Sequence, residues 1–372
     1  MHDVAIIGGG LAGLALSIEL SRKGHDVVLI EKHRYPFHKV CGEYISKESE
    51  AYLKWLGADL EKLGAKRIHQ FRLTHYLGSE VRSALPLGGI GISRFTLDAT
   101  LAEEAKRGGV AVMDGTRVNG TKENALETTA GSIEAKLIIG AHGKRSNIDK
   151  TLNRPFIEAK AKGRDHFVGV KYHLKTDLPD DLIELHVFPD GYAGISAVED
   201  GRYCLCYLTK AHHLEQNGAI QAMEKQVLGK NPALASYLDR FPSLYERPEA
   251  IAQINFQNKE KGRDNIFFAG DAAGLIAPLS GNGMSMALHS AHLLSKEIDL
   301  LLHQKQTKEA TLNHYDAAWH KAFGHRFKSA RFLQEVFFRP TAMNWLMKTA
   351  NFFPPLKHRI IKQTHGEAFF EG

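Results

Sequence analysis

Two rhythms of apolar residues divide this chain. Val4 to Ile7 is a short uncharged apolar run, the pattern of a strand buried on both faces. Leu14 to Arg22 has helical apolar spacing, Gly24 stops it, and Val27 to Ile30 is a second strand. Ser46 to Leu56 has helical spacing with Ser46 as N-cap, and Ser93 to Lys106 is a helix stopped by Gly108-Gly109. Val110 to Met113, Ala135 to Ile139 and Asn265 to Asp271 read as strands, and Met284 to Leu302 as a long helix. Strands alternating with helices predict a mainly parallel sheet.

From about Phe156 the rhythm changes. Phe167–Leu174, Leu182–Phe188, Ala193–Val198 and Arg202–Leu208 are strand-like, divided by Pro189-Asp190-Gly191 and Asp200-Gly201. Ile68 to Leu87 reads as another pair of strands turning at Gly78-Ser79. This meander predicts an antiparallel sheet. Helical patterns follow at His213–Leu228 and Pro232–Arg240, and the tail beyond residue 303 is helical and rich in aromatics.

The first connection carries chemistry. Gly8-Gly9-Gly10-Leu11-Ala12-Gly13 places glycine at the first, third and sixth positions of G-x-G-x-x-G, between a strand and a helix. Gly8 permits the tight turn, Gly10 lets backbone approach a pyrophosphate, and Gly13 lets helix and strand pack closely. Leu11 and Ala12 open a helix whose free N–H groups favour phosphate. Glu31 closes the second strand, where it can accept hydrogen bonds from a ribose, and Lys32 adjoins it. The expected fold is α/β: a Rossmann-like dinucleotide domain (1–67, 91–155 and 255–302) with an inserted antiparallel β-sheet substrate domain (68–90 and 156–254). A helical C-terminal segment (303–372) completes it. Gly88-Gly89-Ile90-Gly91 lacks the third glycine and flanking strand of a second fingerprint.

Composition narrows the classes. The 372 residues, 43% hydrophobic and 24% charged, are those of an ordinary globular chain. A formal charge of +6 comes from scattered lysines and arginines with no nucleic-acid-binding motif, so no nucleic-acid partner is expected. Three cysteines, Cys41, Cys204 and Cys206, form neither a disulfide framework nor a zinc pattern, which fits a cytoplasmic setting. No metal site is expected. No apolar run reaches about 18 residues, so no spanning helix is expected. Lys357, His358 and Arg359 beside Pro354-Pro355 suggest peripheral contact of the tail with an acidic membrane, against the commoner alternative of core-facing packing.

Four separated stretches together resemble the FAD-dependent oxidoreductases of the aromatic hydroxylase fold, and within them the geranylgeranyl reductase family. They are the opening fingerprint with Glu31; Arg94-Phe95-Thr96-Leu97-Asp98; Gly140-Ala141-His142-Gly143-Lys144-Arg145-Ser146; and Gly270-Asp271-Ala272-Ala273-Gly274 through Pro278 and Gly281-Asn282-Gly283. The resemblance implies that Asp271, next to Gly270, hydrogen-bonds the ribityl chain of FAD, and that Arg94 sits near its phosphates. It also implies that the turn at Gly281, Asn282 and Gly283, with Pro278 before it, faces the flavin N1–O2 edge. A helix N-terminus there would stabilise the negative charge of reduced flavin. Cys41-Gly42 resembles the family's cysteine-glycine motif facing the flavin, and His186-Val187-Phe188-Pro189 its pocket-lining strand. In three places the chain departs from the family pattern: His186 stands for tryptophan, Glu43 for a second glycine, and His142 for aspartate.

The expected activity is FAD-dependent reduction of an isoprenoid-like double bond in an apolar small-molecule substrate, with NADPH or NADH as reductant. Hydroxylation of an aromatic or polyketide-like substrate by reduced flavin and oxygen is the alternative, and a non-catalytic flavin-binding module the alternative of another class. A reduction also needs a proton donor. Cys41, Glu43 and His186 are the candidates.

Overall fold

A computed structural model of the chain describes residues 1–144, 146–160, 166–254, 259–275, 281–352 and 368–371. Its first sheet runs in spatial order Gly262–Arg263, Ile266–Phe268, Gly131–Gly140, His2–Ile7, Val27–Glu31 and Ala111–Asp114. From Ile266–Phe268 to Ala111–Asp114 every pairing is parallel. A hairpin, Val118–Lys122 with Ala125–Thr128, extends Gly131–Gly140 in antiparallel fashion. Ile7 pairs with both Ile30 and Gly140, and Gly140 also pairs with Phe268. The strands carrying Gly8, Glu31, Ala141 and Asp271 therefore end along one edge. Open parallel sheets bind their ligands at that carboxyl edge.

Helix Leu11–Arg22 is buried from Leu11 to Leu20 and packs between this sheet and the long helix Gly283–Leu302, with Leu14, Leu16 and Leu20 in one core with Ala291, Leu294 and Ile298. Fully burying one such leucine contributes roughly 1.5–3 kcal/mol. The helix that opens after Ser93 spans Arg94–Arg107, and its N-cap is the Ser93 hydroxyl, which accepts from the Thr96 N–H.

The second sheet has the order Glu249–Ile254, Phe167–Leu174, Tyr203–Lys210, Gly191–Ala197, Leu182–Phe188, Lys66–His75, Glu80–Gly91, Tyr44–Ser46. It is antiparallel except where Leu182–Phe188 lies parallel to Lys66–His75. Tyr44–Ser46, within the stretch assigned to the first domain, hydrogen-bonds into this second sheet. One face carries Val170, Ala193, Ile195, Leu205 and Phe188 against Met223, Val227 and Leu234 of the short helices. The other face meets the C-terminal helices Lys308–Phe337 and Pro340–Phe352, where Met343 and Met347 pack on Leu73, Val81 and Val187.

Among the described residues, most aromatics of the tail are packed. Trp319 and Phe323 enter the first core, Phe337 meets the Tyr192 ring and Phe338 the Phe167 ring. Phe369 stacks on His289 with centroids 4.2 Å apart, and Phe370 packs against Tyr52 and Trp55. Trp345 is exposed. The Pro354-Pro355 and Lys357–Arg359 stretch lies outside the described residues, and no helix among those described is long and apolar enough to cross a membrane.

Candidate functional site

The glycine turn is built so closely that side chains are excluded. Gly8 has φ +104°, and a Cβ there would lie 2.6 Å from the Ala141 carbonyl oxygen. A Cβ on Gly13 would lie 2.0 Å from the Gly8 carbonyl oxygen, the helix-on-turn contact that the third glycine of this fingerprint permits. Gly270, at φ +60°, comes as close to the helix start: its Cβ would be 2.9 Å from that of Ala12. Glu31 is buried, and its carboxylate accepts from the N–H groups of Gly9 (2.8 Å) and His33 (3.0 Å). These bonds aim it along the sheet edge, with lone pairs left for a ribose.

Two cations stand over the glycine turn. Arg94 makes a bidentate pair with Asp98, both bonds 2.7 Å, and Lys39 Nζ reaches the same carboxylate at 3.0 Å. A Cβ on Gly10 would be 3.6 Å from an Arg94 guanidinium nitrogen and 3.7 Å from Lys39 Nζ. Asp98 is buried. Burial raises its pKa, but the charges of Arg94 and Lys39 outweigh that and hold it below the ordinary carboxylate value. One buried anion thus fixes two cations, leaving net positive charge at a helix N-terminus, the arrangement a pyrophosphate needs.

Farther along lies the loop Cys41-Gly42-Glu43. Glu43 has φ +54°, outside the comfortable region for a residue with a Cβ. Its carboxylate is fully buried and accepts from the Arg94 N–H (2.8 Å), Lys171 Nζ (2.6 Å) and His173 Nε2 (2.6 Å). Burial works against its charge, but the His173 bond and the Lys171 charge prevail and keep its pKa below the usual value. Glu43, His173 and Cys204 are spaced as metal ligands would be, yet the Lys171 ammonium already supplies the countercharge. Glu43 therefore ties the phosphate side, the loop and the second sheet together. Cys204 Sγ donates to the Cys41 carbonyl (3.3 Å), a further tie to the same loop.

His142 Nε2 lies 2.9 Å from Asp149, which also accepts from Arg154 (2.9 Å). Burial lowers the His142 pKa, so the ring is neutral, and its Nδ1 has no partner among the described residues. Asp271 follows at the start of a short turn, with its carbonyl held by Lys259 Nζ (2.9 Å). Gly281, at φ +64°, lies so close to Tyr44 that a Cβ would be 2.7 Å from the ring.

A single cavity of 940 Å³ joins these features, near the upper end of the roughly 300–1,000 Å³ of ligand pockets. Gly8, Gly10, Leu11, Ala12, Glu31, Lys32, Arg94, Gly270, Asp271, Gly281 and Gly283 line it, as do Cys41 and Glu43. Gly13 supports the turn from beneath, and Asn282 is buried as the N-cap of Gly283–Leu302. Pro278 lies outside the described residues. Part of the lining is apolar: Phe71, Leu73, Ile183 and Leu185 from the second sheet, Met343 and Met347 from the last helix.

His186 is the correction. Along Leu182–Phe188 the side chains alternate, and Ile183 and Leu185 take the cavity face. His186 points to the other face, fully buried, its Nδ1 2.8 Å from the Thr74 hydroxyl and its ring edge-on to Tyr237. It cannot donate a proton into the cavity. Phe188 shares that face and packs in the core with Tyr207. Sequence reasoning missed Lys39, Lys171 and His173. Lys39 carried a signal, a cation in a long connector after the acidic ribose position. Lys171 and His173 alternate along their strand toward one face, but nothing local marks Glu43 as their partner.

The FAD binding domain family matches residues 1–325. Among curated relatives, Conditioned medium factor receptor 1 of Dictyostelium discoideum is 24% identical over 371 residues, covering 91% of this chain and 71% of that one. Digeranylgeranylglycerophospholipid reductase 2 of Methanopyrus kandleri is 22% identical, covering 90% of this chain and 86% of the relative. The solved flavin-dependent brominase Bmp2 shares the fold with a TM-score of 0.80 at 17% identity, covering 98% of this chain and 93% of its own. The glycine cradle and the paired cations over it suit the dinucleotide that this family takes. The chain belongs to the FAD binding domain family and is an FAD-dependent enzyme.

Proposed function

We propose that the chain is a nicotinamide-linked reductase that saturates an isoprenoid-like double bond in an apolar substrate. One observation carries this reading: the dinucleotide cleft and the apolar chamber under the last helix are a single continuous cavity. Glu31 would hold the adenosine ribose, Arg94 and Lys39 the pyrophosphate, and Asp271 the ribityl hydroxyls. The helix start at Gly283 would face the flavin ring, with Pro278 and Asn282 supporting that turn by family resemblance. When bound, FAD would supply a centre that takes hydride from NADPH or NADH and then gives it to the double bond.

The protein supplies position and exclusion of water. Phe71, Leu73, Met343 and Met347 favour an extended hydrocarbon by burying its surface, at about 25 cal/mol per Å². Cys41 lines the cavity, where its thiol would donate the proton. Glu43 lines it too, but Lys171, His173 and the Arg94 N–H occupy its carboxylate, so its part is to hold the loop. The relative named as a digeranylgeranylglycerophospholipid reductase supports a lipid-like substrate.

Hydroxylation would use the same cleft and differ in what reoxidises the reduced cofactor. Mass spectrometry of turnover products from an isoprenoid lipid and NADPH in air separates the two. A gain of two hydrogen atoms is expected; a gain of one oxygen atom instead would overturn the reductase reading.

A further inference from the structure

Helices Leu11–Arg22 and Gly283–Leu302 both begin at the cavity, and toward their far ends three side chains meet that the cavity does not use. Gly24, at φ +88°, turns the chain out of the first helix, and the His25 N–H closes that turn on the Leu20 carbonyl (3.2 Å). The turn sets His25 against the second helix, where its Nε2 lies 2.7 Å from Asp299 Oδ1. His303, four residues on from Asp299 and so on the same helix face, brings its Nδ1 to 3.3 Å from that oxygen. The three ligand atoms lie within 4.8 Å of one another. A separation of 274 residues between His25 and Asp299 hides the cluster from any local sequence pattern.

We propose that His25, Asp299 and His303 bind one divalent ion of the zinc class. Tetrahedral zinc, with bonds of about 2.0–2.2 Å, separates its ligand atoms by roughly 3.3–3.5 Å, so the cluster has to open by only about 0.6 Å between His25 and Asp299. Two imidazoles and a carboxylate select zinc, nickel or cobalt over magnesium and calcium, which take oxygen ligands. The electrostatics also call for a cation. The last turn of Gly283–Leu302 holds no basic residue, so the Asp299 carboxylate adds to the negative end of the helix dipole. Among the described residues no lysine or arginine pairs with Asp299, and Lys23 gives its ammonium to the Ser295 carbonyl (3.3 Å). That sets this cluster apart from the two others with metal-ligand spacing. Lys171 lies 2.6 Å from Glu43, and Lys210 lies 3.4 Å from Asp190, beside His212 and His213. His303 Nδ1 also lies 2.9 Å from the Asp299 carbonyl, a bond that the ion must displace. His25 is largely buried and His303 half-exposed, so the ion enters from the His303 side and water completes its shell. None of the three residues lines the cavity, so the ion is structural: it clips together the two helices whose starts face the cofactor.

The chain has 20 histidines, so a built site must be told apart from scattered weak binding. Zinc chloride is titrated by calorimetry into the FAD-loaded full chain, with magnesium chloride as the control. Wild type should show a tightest event at one zinc ion per chain and no such event with magnesium. His25→Gln and His303→Gln should each weaken it by about ten-fold or more, with flavin content and metal-free circular dichroism unchanged. The double variant His212→Gln, His213→Gln should keep it. Zinc should raise the thermal midpoint of wild type, reversibly with EDTA, and leave that of His303→Gln where it was. Absence of a one-to-one event, or a tightest event that survives both His25→Gln and His303→Gln, would overturn the proposal. So would its loss in the His212, His213 double variant. His303 is half-exposed at the end of its helix, so His303→Gln carries the test even if His25→Gln does not fold.

Discussion

Replacing Glu43 with glutamine tests whether one buried carboxylate couples three parts of the site. The amide can still accept from the Arg94 N–H, but it cannot balance Lys171, whose side chain is fully buried 2.6 Å away. Removing one partner of a buried pair typically costs about 3–5 kcal/mol, because the remaining charge is stranded. Glu43→Gln should therefore lose roughly that much stability at pH 7, followed by urea unfolding of the apoprotein with coincident fluorescence and circular dichroism transitions. Adding Lys171→Met removes the stranded charge, so the double variant should regain most of the loss. The sign of the pH dependence follows from the lowered carboxyl pKa. Its stabilisation is fully present above the unfolded value, near 4.5, and disappears as pH falls through the folded value. The gap between wild type and Glu43→Gln should close on acidification. It should narrow on alkalinisation too, because without Glu43 burial pulls the Lys171 pKa down and the variant sheds its stranded charge as pH rises toward the ordinary lysine value. A loss below about 1 kcal/mol, or a double variant no better than the single, would refute the hub.

Asp271→Ala should weaken FAD retention by about ten-fold or more through lost ribityl hydrogen bonds, read as flavin occupancy after purification. Full occupancy would remove Asp271 from the site. Cys41→Ala should keep its flavin yet change turnover, measured under steady-state conditions; unaltered kinetics would leave Cys41 as wall packing. His186→Gln, on the far face of its sheet, should lower stability with turnover within about two-fold of wild type, its hydrogen bond to Thr74 being worth about 1 kcal/mol. A variant that stays as stable but loses turnover would contradict its placement.

The glycine cradle was legible because its parts are local: a strand, a turn and a helix in succession impose φ and packing on the same few residues. Arg94 and Asp271 were singled out through resemblance in separated stretches, and both line the one cavity. His186 was misplaced because a strand reverses its faces with every residue, and Leu-Ile-Glu-Leu-His-Val-Phe offers apolar side chains to both sides. Lys171 and His173 meet Glu43 only because Phe167–Leu174 comes back beneath a loop more than a hundred residues earlier. The pairing of Tyr44–Ser46 with the second sheet was equally non-local. The apolar chamber needed the last helix to fold over the sheet, which no single stretch announces.

The most direct test of the account is an anaerobic cycle followed by flavin absorbance. NADPH or NADH should bleach the bound flavin, and the colour should return on adding an isoprenoid lipid, in step with loss of its double bond. A flavin that regains colour only when oxygen is admitted, or that no nicotinamide bleaches, would contradict the reductase at the centre of this account.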